Sequence, residues 1–436
     1  MVSAPTQVGV RMYQVGFGDC ILVSVGYDEP LSDGRAERHI LIDFGSTRSA
    51  REGRARGRMS DVAKLIEEHT GGELDVLVVT HRHKDHLAGF ADDSAAKVLR
   101  ALAPKRVLRS WTEVPDRDGT ADGQPDAETP KQDGLGRASI RYAQLLSDAQ
   151  KDAEVLSTLT GLHDDVQAAA KEQVKNAKAI ELLDELAASG RGRYLHAGAD
   201  AGLDDLIPGL AVTVLGPPTV EQDARVAKQR EEDREYWMLA LRSSLREAAQ
   251  RRIPPGEKHD IDLGPGPVRW LIERLSSQKS HSVARLVRDL DDALNNTSLV
   301  LLLEIGELKM LFAGDAQIEN WQYTLERLDG QPRLKAKLAA IDLYKVGHHG
   351  SRNATPRTLH ALWKDRPDDS PKMIALMSTR EGVHGKSVAT AVPRETLVTA
   401  LRQVATLHST DDLGRGEEFI ELVADVGQGP FRLVQR

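Results

Sequence analysis

The segment Thr80–Phe90, THRHKDHLAGF, places His81, His83, Asp85 and His86 within six positions, directly after the apolar run LDVLVV. In an extended chain, residues i and i+2 point to the same side. His81 and His83 can therefore chelate one cation from the end of a strand. Once the chain turns, Asp85 and His86 can face a second position. Neutral imidazole and carboxylate suit zinc, and also manganese or iron. A lone histidine is usually a surface or satisfied core residue, but three at one strand terminus are hard to explain as a polar loop. Two later segments repeat the arrangement of an apolar strand followed by ligand-type residues. LFAGDA places Asp315 after a strand, where a carboxylate could bridge two cations, although Asp after Gly is more often a turn residue. KVGHHGS places His348 and His349 after another.

The surrounding chain reads as the α/β framework that such residues need. VGVRMYQV, CILVSVGY and HILIDFG are strands, with GFGD as the first turn. MSDVAKLIEEHT is an amphipathic helix with Ser60 as its N-cap, closed by Gly71 and Gly72. LDVLVVT is the buried strand before the histidines. Ligands commonly bind at the C-terminal edge of strands in such folds. From 115 to 290 the chain reads as a polar loop and then as largely helical insertion material around one core strand, LAVTVLGPP. After Asn295, SLVLLLEIG and LKMLFAGD form a hairpin around Gly306. AIDLYKVGHHGS and KMIALMS are further strands, PRETLVTALRQVA is a helix with Pro393 near its first turn, and EEFIELVA and FRLVQR close the chain. Two strand-rich halves, each with helices, predict a single domain over 1–436 built as a four-layer αββα sandwich.

Composition narrows the classes. The chain has 436 residues, 40% hydrophobic and 28% charged. It shows no run of the ~18 apolar residues a bilayer span needs, and its start lacks a signal-peptide pattern. The single cysteine, Cys20, rules out an internal disulfide and leaves metal binding to histidine and carboxylate; it reads as a small core residue. Both features predict a reducing, cytoplasmic setting without membrane association. The net charge of −8 argues against a broad nucleic-acid surface but leaves room for a local basic cleft.

THRHKDH matches the H-x-H-x-D-H signature of the metallo-β-lactamase fold superfamily. VGFGDCILV, LIDFG, NNTSLVLLLEIGELKMLFAGDA and YKVGHHGS, in that order, resemble the hydrolase domain of the DNA-uptake channel proteins of competent bacteria and their free-standing soluble relatives. The resemblance covers roughly residues 8–110 and 210–425. It implies a first metal on His81 and His83, a second on Asp85 and His86, and Asp315 bridging both. One of the HHG pair completes the second site: His349, directly before glycine, is favoured, with His348 as the alternative. The family's further histidine is replaced here by the block Asn295, Asn296, Thr297, Ser298. That leaves the first metal fewer strong ligands, with His196, His259 and His281 as candidate substitutes. Asp43 in LIDFG corresponds to a position that supports the metal loop from behind. Asp19 in GFGDC either braces the site or caps a turn, while Gly16 and Gly18 serve the turn. Related proteins carry a histidine near the position of His384 in EGVHGKS, which implies that His384 donates a proton or grips a phosphate. Ser351, Arg352 and Lys386 are candidate contacts for an anionic substrate, with a solvated loop as the plainer reading. Trp111 either lines the mouth or belongs to the core.

The function expected on this basis is a metal-dependent hydrolase with one or two divalent ions, zinc first. Its favoured substrate is a phosphodiester in DNA, RNA or a nucleotide, with Asp85 orienting the attacking water. Hydrolysis of a small ester, thioester or lactam is the alternative, because one fold supports many chemistries. A third reading is a partner-binding component of a multi-protein system, docking through the helical insertion. The charged stretch 221–250 is then either that docking surface or a solvated lid.

Overall fold

In β1 (Pro5–Tyr13) and β13 (Phe419–Asp425), buried and more exposed residues largely alternate, as period-2 patterning on a half-covered sheet requires. β2 (Cys20–Tyr27) and β3 (Glu37–Phe44) are buried along nearly their whole length. The computed structural model describes residues 3–48, 59–114, 135–144, 146–147, 177–227, 293–351, 353–367, 370–383 and 391–435. Its remaining strands are β4 (Val76–Val78), β5 (Arg106–Ser110), β6 (Gly192–Leu195), β7 (Leu210–Gly216), β8 (Val300–Ile305), β9 (Leu308–Phe312), β10 (Leu343–Lys345), β11 (Met373–Met377), β12 (Ala405–Ser409) and β14 (Arg432–Gln435).

These strands form two mixed sheets. The first has the order β14-β13-β1-β2-β3-β4-β5-β6, antiparallel from β14 to β3 and parallel from β3 to β6. The second has the order β12-β11-β10-β9-β8-β7, with β7 to β9 antiparallel and β9 to β12 parallel. One apolar cluster draws on both sheets, from Val8, Val23 and Ile42 to Leu301, Met310 and Leu376. A second joins the first sheet to α1 (Met59–His69), α3 (Asp93–Leu102) and α4 (Ala177–Ala187). A third joins the second sheet to α5 (Ile318–Leu325), α6 (Pro332–Ala339), α7 (Arg357–Lys364) and α8 (Glu395–Val404). The fold is therefore mixed α/β with helices packed on both sheets.

Several sequence expectations are met: the hairpin of β8 and β9 pairs Ile305 with Leu308 around Gly306, and Cys20 and Trp111 lie in the core. Others need correction. Ser60 lies within α1 (Met59–His69) and is not its N-cap. Pro393 lies before Arg394, the N-cap of α8, and so outside the helix. Among its described residues the stretch 115–290 contributes two strands, not one: β6 joins the first sheet and β7 the second. β6 reads poorly as a strand because its four residues, GRYL, bury only Leu195 fully. Residues 137–144 and α4 are helical, but most of the expected insertion, including 228–292, lies outside the described residues.

Within each sheet the parallel strands end on one edge. Asp43 lies near the end of β3, and the histidine loop follows β4. Asp315 follows β9, His349 follows β10, and Ser378 follows β11. The two edges are stitched together. Leu299 N–H donates to the Thr80 carbonyl at 2.9 Å, and Ser378 Oγ donates to the Gly18 carbonyl.

Candidate metal centre

α2 (Lys84–Leu87) is a single turn that carries Asp85 and His86 inward from the end of β4. Glycine makes that approach feasible. A Cβ on Gly45 would stand 2.4 Å from the carbonyl carbon of His86 and 2.5 Å from the nitrogen of Leu87. A Cβ on Gly18 would stand 2.5 Å from the Asp85 carbonyl oxygen. Asp19 N–H then donates to that same carbonyl at 3.0 Å, and Gly45 N–H to the Asp19 carbonyl at 3.0 Å. Backbone thus clamps the loop from behind.

Asp85, His86, Asp315 and His349 come together, each offering a ligand atom within 4.8 Å of the others. His86 Nε2 is 3.3 Å from Asp315 Oδ2, and His349 Nε2 is 3.6 Å from the same oxygen. His349 Nε2 is also 2.8 Å from Asp85 Oδ2. The other nitrogen of each ring is fixed. His86 Nδ1 lies 2.7 Å from Asp43 Oδ2, and His349 Nδ1 donates to the Ser378 carbonyl at 3.0 Å. Such outer partners set tautomer and ring orientation for metal-binding histidines. Asp43 also accepts from Thr80 N–H and Thr80 Oγ1, both at 2.7 Å. It therefore braces the histidine loop from behind. Thr80 Oγ1 is 3.1 Å from His81 Nδ1, and His81 Nε2 is 2.9 Å from His83 Nδ1. The His81 ring centroid is 4.2 Å from that of His86, so the second histidine pair adjoins the first group.

Asp43 (φ 56°), His348 (φ 42°) and His349 (φ 52°) all hold left-handed backbone, which side-chain-bearing residues adopt at a cost. They are three of the five such non-glycine residues among the described ones. His349, not His348, puts its imidazole in the group. His348 contributes its backbone N–H to Asp315 Oδ1 at 3.0 Å. Asp315 N–H donates to Ser298 Oγ at 3.1 Å, so the NNTS block holds the backbone of the aspartate. Asn296 sends Nδ2 to Glu319 Oε2 at 3.2 Å. Asp19 faces the group from below, 3.8 Å from His86 Nδ1 and 3.7 Å from His349 Nδ1.

The electrostatics of the pocket favour positive charge. Burial disfavours a charged His86, but Asp315, Asp43 and Asp85 outweigh it and hold the imidazole well above its usual value. His349 is raised likewise: Asp315, Asp85 and Asp19 overcome burial. Burial would raise Asp85 and Asp315, yet the neighbouring imidazoles, His86 and His349, hold both carboxyls below their usual range. Burial pushes Asp43 up. His81 is pushed down by burial and by its neighbours His86 and His83.

The donor set fits a divalent ion. Two ligands of one tetrahedral zinc, bound at about 2.0–2.1 Å, stand about 3.3 Å apart. The distances here, from 2.8 Å for His349–Asp85 to 3.6 Å for His349–Asp315, bracket that value. Asp85 is the partly exposed member of the group, with 15% of its side chain accessible.

One participant has no sequence signal. Lys345, in the apolar strand before HHGS, is buried and pairs with Asp19. Ser351 follows the His349 turn and is nearly buried. His196 hydrogen-bonds the Ala197 carbonyl at 2.9 Å and is not part of the ligand groups. Trp111 is a core residue, its Nε1 donating to the Pro218 carbonyl at 3.2 Å. His259, His281, Arg352, His384 and Lys386 lie outside the described residues. Among the described residues no helix is long and apolar enough to cross a membrane. No family model and no curated protein matches the chain.

Proposed function

We propose that this chain is a metal-dependent hydrolase that cleaves phosphodiesters, in DNA, RNA or a nucleotide, within a four-layer αββα sandwich of the metallo-β-lactamase type. One observation carries the reading. Residues from separate strand ends, Asp85 and His86 after β4, Asp315 after β9 and His349 after β10, aim ligand atoms at one buried point. The sequence motif H-x-H-x-D-H with the blocks NNTS and HHGS supports the choice of family and of substrate class.

Asp85, His86, Asp315 and His349 would hold one cation, with His81 and His83 for a second. Zinc suits this donor set best, manganese or iron next. When bound, a divalent cation supplies Lewis acidity, making water a nucleophile near neutral pH and stabilising a developing oxyanion. The protein's own part is positioning. Asp43 and the Ser378 carbonyl fix the two imidazoles, and Ser298 fixes Asp315. Asp85, the partly exposed carboxylate, would orient the attacking water.

The test pairs metal analysis of purified protein with hydrolysis of bis-p-nitrophenyl phosphate, single- and double-stranded DNA, RNA and cyclic nucleotides. Wild type should hold metal and cleave at least one phosphodiester, with Asp85→Ala slower by ~10³, about 4 kcal/mol of barrier. Equal inertness of both on every phosphodiester, with a difference on a thioester or lactam, would move the substrate to that class. A protein that binds no added metal and hydrolyses nothing would leave only the partner-binding reading.

A further inference from the structure

Lys345 ends β10, a strand whose three residues are all buried, and its side chain is 2% exposed. An ammonium group withdrawn from water needs carboxylates beside it to stay charged. Nζ pairs with Asp19 Oδ2, stands 3.8 Å from Asp315 Oδ1 and donates to the Gly314 carbonyl at 3.4 Å. Burial works against the charge, but Asp19 and then Asp315 outweigh it and hold the lysine above its usual range. A fixed monovalent cation therefore lies behind Asp315, whose other oxygen faces His86 and His349. Lys345 is not needed to aim that aspartate. His348 N–H already engages Oδ1, and Ser298 Oγ already engages the Asp315 N–H. What Lys345 alone contributes is charge.

We infer that Lys345 is a resident counter-ion of the metal centre, permanently offsetting part of its carboxylate charge and thereby weakening its hold on a divalent cation. The inference rests on the metal-centre reading above. At the effective dielectric of a protein interior, one unit charge at this range changes the affinity for a divalent ion by well over tenfold. The loss of Lys345 should therefore tighten metal binding, whereas a purely structural lysine would on removal lower stability and leave affinity unchanged or reduced.

The experiment measures zinc and manganese dissociation constants of the full chain by competition with a chromophoric chelator after metal stripping. Circular dichroism verifies that each variant is folded. Lys345→Met should bind more than tenfold tighter than wild type. Lys345→Arg, which keeps the charge, should stay within about threefold of it. Asp19→Asn should bind more than tenfold more weakly, and the double variant Asp19→Asn with Lys345→Met should return to within about threefold of wild type. If Lys345→Met alone does not fold, the comparison of the double variant with Asp19→Asn carries the test, because the double must again bind more than tenfold tighter. Unchanged or weaker binding by Lys345→Met, or a double variant no tighter than Asp19→Asn, overturns the role of Lys345. Wild type that binds neither cation overturns the metal centre itself.

Discussion

β3 and β4 carry an ionic cluster at each end, and the two clusters are built on opposite plans. At the N-terminal end, Asp75 is fully buried and pairs with Arg35; Lys105 Nζ approaches it at 3.2 Å and Arg38 Nε at 3.7 Å. Asp33 receives Arg38 at 2.9 Å and Arg35 at 3.1 Å. Three fixed cations thus serve two aspartates, and the exposed Glu73 joins at 3.1 Å from Arg35. At the C-terminal end, Asp19 pairs with Lys345, which also stands 3.8 Å from Asp315, while Asp43, Asp85 and Asp315 face imidazoles. Guanidinium charge is permanent, so the first cluster is complete in itself. Imidazole exchanges its proton for a metal ion, so the second is balanced by groups that can give way to a cation. Of the two, the second has the side-chain arrangement that could hold one.

Paired substitutions should separate these plans, the largest effect being on chemistry. Asp315→Asn should cut phosphodiester hydrolysis by ~10³ or more, about 4 kcal/mol of barrier, and lower the metal content of the purified protein. Its melting temperature in chelator should fall less than that of Asp75→Asn, because His86 and His349 can release their protons once the carboxylate is lost, whereas guanidinium cannot. Asp75→Asn should do the reverse. It leaves Arg35 and Arg38 without their buried partner and should cost about 3 kcal/mol in urea unfolding, with metal affinity within about twofold of wild type. If Asp315→Asn proves the more destabilising of the two in chelator, the distinction between the clusters is lost.

The legible parts of this molecule were those where residue type alone restricts the chemistry. The pattern of His81, His83, Asp85 and His86 pointed to a metal site, and the structure brings Asp85 and His86 of these together with Asp315 and His349. The mixed α/β class followed from apolar runs with the right lengths and turn residues. Lys345 was not legible, because a lysine at the end of a short strand usually points to solvent; only the convergence of Asp19 and Asp315 on it shows otherwise. The Arg35–Asp75 cluster was missed for the same reason: charged residues flanking strands look like solvated surface until the fold brings them together. Gly18 reads as a turn glycine and Gly45 as the last residue of the strand HILIDFG, whereas what they supply is room for the Asp85–Leu87 backbone. β6 was missed because four residues with two polar side chains carry almost no periodicity.

That packing role of glycine offers a subtler probe of the C-terminal end. Gly45→Ala puts a methyl group 2.4–2.6 Å from backbone atoms of Asp85, His86 and Leu87, and backbone cannot swing aside as a side chain does. The histidine loop must shift. Overpacking of this kind costs about 1–3 kcal/mol, and metal affinity should fall by more than tenfold although no ligand has been changed. Normal metal binding by a folded Gly45→Ala protein would mean that the loop is not held by this contact.

The smallest effect lies at the N-terminal end and depends on pH. His39, beside Asp75, is buried, with Nδ1 3.0 Å from Ser24 Oγ. Burial lowers its pKa to about 4, and Arg35, Arg11 and Arg38 add to the depression against the opposing pull of Asp75. The unfolded chain titrates this group near 6.5. Between those values the unfolded state binds the extra proton, so stability contributed by neutral His39 is present above about 6.5 and is lost as pH falls towards 4. At about pH 5.5 the loss relative to neutral pH is about 1 kcal/mol. Urea unfolding at the two pH values should show that difference in wild type and lose it in His39→Asn. An acid limb of equal slope in the variant would assign the acid sensitivity to another group held below its usual pKa, His81 at the opposite end of the same strands first.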